Sequence, residues 1–215
     1  LDDAPGLDVD ATDLMVQAQR SGDIFAISAG GAGAPQKSGI AIAGSVALNT
    51  INQQTEAYID QLDLTAELIS VKASDESDMF AIGGALAFGG KLGIGAAIAV
   101  NRIDSDATAE VLSSTLLHTG DLVVDAMNDA EMRSITGSTG VATQGIGGAG
   151  TVSVNIIDSD ATAQIAGSTN READSQGNIT VKATDDSLIQ SIAGAVGIGK
   201  TAGLGAAVAY NAITS

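Results

Sequence analysis

The chain has 215 residues, 26 of them acidic against 9 basic, for a formal net charge of −17. A balance this acidic argues against nucleic acid and anionic membrane surfaces as partners, because both are bound through basic patches. Hydrophobic residues make up 45% but aromatics only 2%, so the apolar mass is Ala, Val, Ile and Leu among 27 Gly, a composition for thin stacked layers rather than a globule built on aromatic anchors.

There is no cysteine, and a secreted protein of this size without disulfides is more typical of bacteria than of animals. The chain begins "LDDAPGLDVDATD", which has neither the basic region nor the apolar run of a signal peptide. No stretch reaches the roughly 18–20 uninterrupted apolar residues of a membrane helix, and "GIGAAIAV" (93–100) is short and broken by glycine.

From residue 14 one pattern occurs four times, over 14–68, 69–121, 122–178 and 179–215. The first copy opens on a valine strand, "LMVQA" (14–18), passes polar "SGD" (21–23), and turns at Lys37 between two apolar arms. Its second arm, "GIAIAGSVALN", closes on Asn49. The second copy runs "ISVKA" (69–73), "SDESD", "MFAIGGALAFG", a turn at Lys91 and "LGIGAAIAVN", closing on Asn101. The third runs "LVVDA" (122–126), "MNDAE", a first arm holding polar "SITGST", a turn at Gln144 and "GIGGAGTVSVN", closing on Asn155. The fourth runs "ITVKA" (179–183), "TDDS", "LIQSIAGAVGIG", a turn at Lys200 and "AGLGAAVAYN", closing on Asn211. The closing Asn residues recur at intervals of 52, 54 and 56. "IDSDATA" follows two of them verbatim, at 103–109 and 157–163. The chain stops just after a recurring element, and reads as a piece of a longer array.

The arms have period 2. Leu92, Ile94, Ala96, Ile98 and Val100 alternate with Gly93, Gly95, Ala97, Ala99 and Asn101, and the first and fourth copies repeat the alternation. That is the signature of a strand with large residues on one face and tiny ones on the other. A helix would lose roughly 1 kcal/mol at each glycine. The large face is expected to fill a core, Ile98 included, and the small face to lie outside or to admit a second layer. No copy can bury its apolar face alone, so the copies stack. The expected fold is an all-β solenoid with the four valine strands in parallel and two or three coils per repeat. The Asn residues suit either a turn or an amide ladder.

Several motifs invite a function. "GAVGIGKT" (194–201) matches the phosphate-binding loop, which needs a buried strand before it and a helix after it. The same place reads "GALAFGGKL" (84–92) in the second copy and "AGAPQKS" (32–38) in the first, and a strand by period follows Lys200. The Lys is a turn residue and no nucleotide is expected. "GIGGAG" (145–150) satisfies the dinucleotide fingerprint, again with no helix to follow. Asp104 with Asp106 and Asp158 with Asp160 offer paired carboxylates. Calcium takes six to eight oxygens, so a site would require "SDESD" and "ATDD" to converge on them; otherwise they form solvated turns. His118, in "LLHTGD", is expected to be an exposed loop residue. Glycoside cleavage by paired carboxylates would need sugar-binding aromatic or basic groups, which are scarce. No catalytic, cofactor or metal residue is assigned.

The segments "ITVKATDDSLIQSIAGAVGIGKTAGLGAAVAYNAI" and "ISVKASDESDMFAIGGALAFGGKLGIGAAIAVNRIDSDATAEV" resemble the repeats of large secreted bacterial surface proteins, the filamentous haemagglutinin-like and leukotoxin-like adhesins. The resemblance spans essentially the whole chain; Gln144 and "SITGST" in the third copy depart from it. It implies a right-handed parallel β-helix, exported and displayed on the cell surface, non-catalytic, which meets a host or neighbouring-cell receptor or glycan through its parent protein. Two other classes stay open: a polysaccharide-binding or polysaccharide-degrading β-helix, and an outer-membrane barrel, whose strand length the arms match but whose aromatic girdles are missing.

Overall fold

The computed structural model describes residues 7–172 and 177–215. Strands and turns account for the described residues, with no helix. The first coil is β1 (Leu7–Asp10), β2 (Asp13–Ala34) and β3 (Ile40–Asp60); the second is β4 (Leu62–Ala66), β5 (Leu68–Gly89) and β6 (Leu92–Leu112). The third is β7 (Thr115–His118), β8 (Leu122–Ala142) and β9 (Ile146–Ala166); the fourth is β10 (Thr169–Glu172), β11 (Ile179–Gly199) and β12 (Ala202–Thr214). Equivalent strands stack into three parallel sheets: a short one, β1-β4-β7-β10, a first long one, β2-β5-β8-β11, and a second long one, β3-β6-β9-β12. The protein is a parallel β-helix. The valine strands stack as expected, with Leu14 on Ile69, Ile69 on Leu122 and Leu122 on Ile179.

Each repeat makes one coil, not two or three. The acidic segments that read as turns are strand: in β5, Asp75 and Ser77 point inward while Glu76 and Asp78 point outward. Period 2 thus runs unbroken from valine strand to apolar arm, giving strands of 21 or 22 residues, roughly 70 Å long at strand rise. The second arm and "IDSDATA" are likewise one strand, β6 or β9. At the corner into the short sheet, Gln61, Ser113 and Gly167 take positive φ (57°, 48° and 64°), and hydrogen bonds from Gln61 N to Leu112 O and from Ser113 N to Ala166 O carry the stack through the bend.

In section the coil is a wedge. At its broad end all three sheets enclose Ile59, Leu64, Ile69, Val71, Val111, Leu116, Leu122 and Val124. Farther along, the long sheets hold Ile51, Met79, Ile103, Met132 and Ile157 between them. Beyond that no third wall remains, and the apolar cluster held between the long sheets is Ala41, Ala43, Ala85, Ala87 and Ala97. Here the two backbones nearly touch. A Cβ added at Gly30 would lie 1.9 Å from the Gly44 carbonyl oxygen, and one at Gly93 would lie 2.1 Å from that of Val141.

This convergence reverses the expected facing of the arms. Ala97 and Ala99 are 1% exposed, while Ile98 between them is 43% exposed. Ile42, Val46, Leu48, Leu204 and Val208 also face out. The small face is the inside because there is room for nothing larger, and the large face is solvent-exposed. We call the two regions the broad half and the thin half.

Candidate functional site

The boundary between the halves is the Asn column. Asn49 Nδ2 donates to Asn101 Oδ1, Asn101 Nδ2 to Asn155 Oδ1, and Asn155 Nδ2 to Asn211 Oδ1, each at 2.8 Å. Of the two roles open to these residues, they take the amide ladder. Ser134, Ser153 and Ser191 complete the belt from both walls, with Ser134 Oγ 3.1 Å from Ser153 Oγ and Asn155 Nδ2 donating to Ser191 Oγ at 3.0 Å.

A second polar belt crosses the broad half. Asp75, 1% exposed, accepts from Thr55 Oγ1 at 2.7 Å and Ser77 Oγ at 3.1 Å. Gln53, oriented with its nitrogen toward the carboxylate, adds bonds of 3.1 and 3.2 Å. One coil on, Asn128 takes the place of the acid and accepts from Ser105 Oγ at 3.1 Å. In the last coil Asp185 accepts from Ser159 and Ser187. The hydroxyls of each coil satisfy these acceptors, as buried polar groups require.

The exposed carboxylates form columns on opposite faces of the wedge. On the second long sheet Asp104 stacks on Asp158 and Asp106 on Asp160; on the first, Glu76 aligns with Asp129 and Asp186, and Asp78 with Glu131. Asp106 has its pKa raised by burial and then by Asp160, Asp104, Asp158 and Asp75. Asp129 has its pKa raised by burial and then by Asp186, Asp78 and Glu131. Arg102 bridges Asp104 at 2.9 Å and Asp158 at 3.6 Å, and Arg133 pairs with Glu131.

"DSDAT" is not a turn in either copy; it lies within β6 and β9, where alternation sends both Asp outward and Ser105 or Ser159 inward. "SDESD" and "ATDD" belong to the first long sheet, so their outward acids lie across the wedge and do not converge with Asp104 and Asp106. No group of three or more potential metal ligands forms among the described residues. In "GAVGIGKT", β11 ends at Gly199 and β12 starts at Ala202, so a strand follows the lysine. Thr201 N donates to Gly145 O, as Lys91 N does to Gly39 O in an earlier coil: these turn amides bond the neighbouring coil. "GIGGAG" enters β9, where a Cβ at Gly147 would stand 2.0 Å from the Ile198 carbonyl oxygen. His118 is not an exposed loop residue: it ends β7, is 5% exposed, and donates from Nδ1 to Gly120 O at 2.6 Å.

What sequence reasoning missed is the outer surface of the thin half. On the first long sheet it presents Ile27, Leu86, Phe88, Ile135, Ile192, Val196 and Ile198, and on the second Ile42, Val46, Leu48, Ile94, Ile98, Val152, Leu204 and Val208. At its border, in the row of Arg133, Phe25 and Phe80 stack at 5.5 Å. The signal was present: Asp104 and Asp106 share parity with Ile94 and Ile98, and an unbroken strand puts them all on one face. No protein-family model, curated protein or solved structure matches this chain.

Proposed function

We propose that this segment is a non-catalytic spacer and display module of a large secreted bacterial surface protein, of the filamentous haemagglutinin-like and leukotoxin-like adhesin type. The observation that carries the reading is the in-register stacking of four equivalent coils, each adding length by the same parallel pairing. Such an array propagates a rod without needing a unique centre. The titratable groups support it too, since they recur as columns rather than as a single constellation of nucleophile, base and orienting group. A receptor or glycan is then met by other parts of the parent protein, and this segment sets the reach.

The test removes one coil. Ser74 and Met127 occupy equivalent positions, so deleting residues 74–126 joins Ala73 to Met127 in register. The shortened rod is expected to refold and to lose one strand spacing, about 4.8 Å, of length. Adhesion of the parent should fall only as far as reach is reduced. Complete loss of receptor binding with the fold intact would place the receptor site here and overturn the spacer reading.

A further inference from the structure

We propose that the segment pairs with a second copy of itself, rod parallel to rod, through the outer face of the thin half of the first long sheet. That face has a relief that repeats in every coil. Ile27, Ile82, Ile135 and Ile192 stack into one ridge, and Ala29, Gly84, Gly137 and Gly194 into the adjacent column. The small column is the floor of an open groove of about 470 Å³ that runs across the strands, with Leu86, Thr139 and Val196 on its far side.

These outward glycines differ from those inside the wedge. A Cβ at Gly84 would meet nothing closer than 3.7 Å, one at Gly137 nothing closer than 3.9 Å, and one at Gly194 nothing within 4 Å. The fold leaves room for side chains there, yet glycine weakens a strand interior. Such glycines often mark the close approach of another surface.

Ridge beside groove is self-complementary in one arrangement. A two-fold axis along the rod, midway between the Ile and Gly columns, lays each copy's ridge in the other's groove. It also matches charge. Among the turn lysines, Lys91 and Lys200 lie eight and seven residues beyond the axis, and the Glu76–Asp129–Asp186 column lies seven before it, all roughly 23–26 Å away at strand rise. The axis keeps each coil level, so Lys91 of one copy falls on Glu76 of the other and Lys200 on Asp186, while Lys37 meets Ser21 and Asp129 meets Gln144. No ion pair engages Glu76, Asp129 or Asp186 among the described residues, whereas Arg102 already bridges the Asp column of the second long sheet. That difference selects the first sheet over the second. Opposed charge columns also offset the repulsion that a net charge of −17 sets up between rods.

The area is sufficient for a dimer. Five outward positions per strand span roughly 30 Å and four strands about 19 Å, so each copy contributes about 600 Å². The total of about 1,200 Å² sits at the lower edge of stable interfaces. The pairing does not depend on the adhesin reading.

Sedimentation equilibrium of the 215-residue chain tests it. A monomer–dimer equilibrium is expected below about 0.1 mM. Gly84→Leu/Gly137→Leu fills the groove and should stay folded, by circular dichroism, with the dissociation constant raised at least about tenfold. Lys91→Glu/Lys200→Glu should weaken the dimer, and carbodiimide should link Lys200 of one copy to Asp129 or Asp186 of another. Ile98→Asp/Val152→Asp, on the opposite face, should leave the dimer unchanged. A monomer throughout that range overturns the proposal, as does a dimer sensitive to the Ile98 variant but not to the glycine one. Monomers that instead bind phosphatidylcholine vesicles would make a lipid surface the occupant and overturn it as well.

Discussion

Two glycines in adjacent strands of one coil, substituted identically, should shift stability in opposite directions. Gly93 faces inward, and an added Cβ would stand 2.1 Å from the Val141 carbonyl oxygen of the opposing sheet. Ordinary van der Waals contact begins at 3.4 Å, so Gly93→Ala requires the two sheets to part by about 1 Å, beside the packed Ala85, Ala87 and Ala97. Overpacking of this kind costs about 1–3 kcal/mol. Gly84 faces outward with its nearest atom 3.7 Å from the added Cβ, and Gly84→Ala should stabilise by about 0.5–1 kcal/mol. The two variants should thus differ by roughly 2–4 kcal/mol, a Tm separation of about 5–15 °C for a chain of this size. Far-UV circular dichroism melts at micromolar concentration measure it. Equal Tm values, or a larger loss at Gly84 than at Gly93, would refute the account of which face is inside.

Other consequences follow from the same geometry. Ile98→Asp should change Tm little, because Ile98 is half exposed, whereas Ile103→Asp puts a charge at a fully buried position and should cost several kcal/mol in urea unfolding. Asn101→Ala removes a partner from both Asn49 and Asn155 and should cost about 1–3 kcal/mol, the penalty of leaving buried groups unpaired. The raised pKa values of Asp106 and Asp129 mean that the folded state holds more protons than the unfolded one. Their contribution is fully present below the unfolded value of about 3.9 and is lost as pH rises through the folded values, so Tm should rise on acidification from pH 7 toward pH 4. Asp129→Asn should raise Tm at pH 7 and flatten that profile; a Tm that falls with the first acidification would contradict the carboxylate columns.

The sequence disclosed register more readily than facing. Each closing Asn marks its coil, and the structure stacks Asn49, Asn101, Asn155 and Asn211 at the spacing of the repeat. Facing stayed hidden because alternation of large and small looks the same whichever set is inside, and the usual preference for large residues in a core pointed the wrong way. The deciding observation is a change of parity. In β3 the large aliphatic residues sit at even positions through Leu48 and then at the odd positions Ile51 and Ile59, with no bulge between to swap the faces. One set had to be outside. Coil number failed for a related reason: "SDESD" and "IDSDATA" carry turn-like composition, yet with neighbouring strands on both sides every amide has a ladder partner and the chain runs on extended. The buried state of His118 had no sequence signal, because it depends on the corner at Gly120 that the short sheet imposes.

The outward apolar surface follows from the wedge itself. The broad half has a third wall and can bury Ile103 and Ile157; the thin half has two walls whose backbones meet, and buries only small side chains such as Ala97, Ser138 and Thr151. A strand that crosses from one half to the other cannot exchange its faces, so the apolar residues that stabilise an extended arm must point outward. Each further coil adds about 30 Å by 4.8 Å of this surface to each copy, close to 150 Å². Pairing strength should therefore rise with the number of coils, while each coil keeps the same internal packing. A four-coil segment stands near the threshold for association, and a longer array of the same coils would stand well above it. The same unit that lengthens a rod would then also join rods side by side.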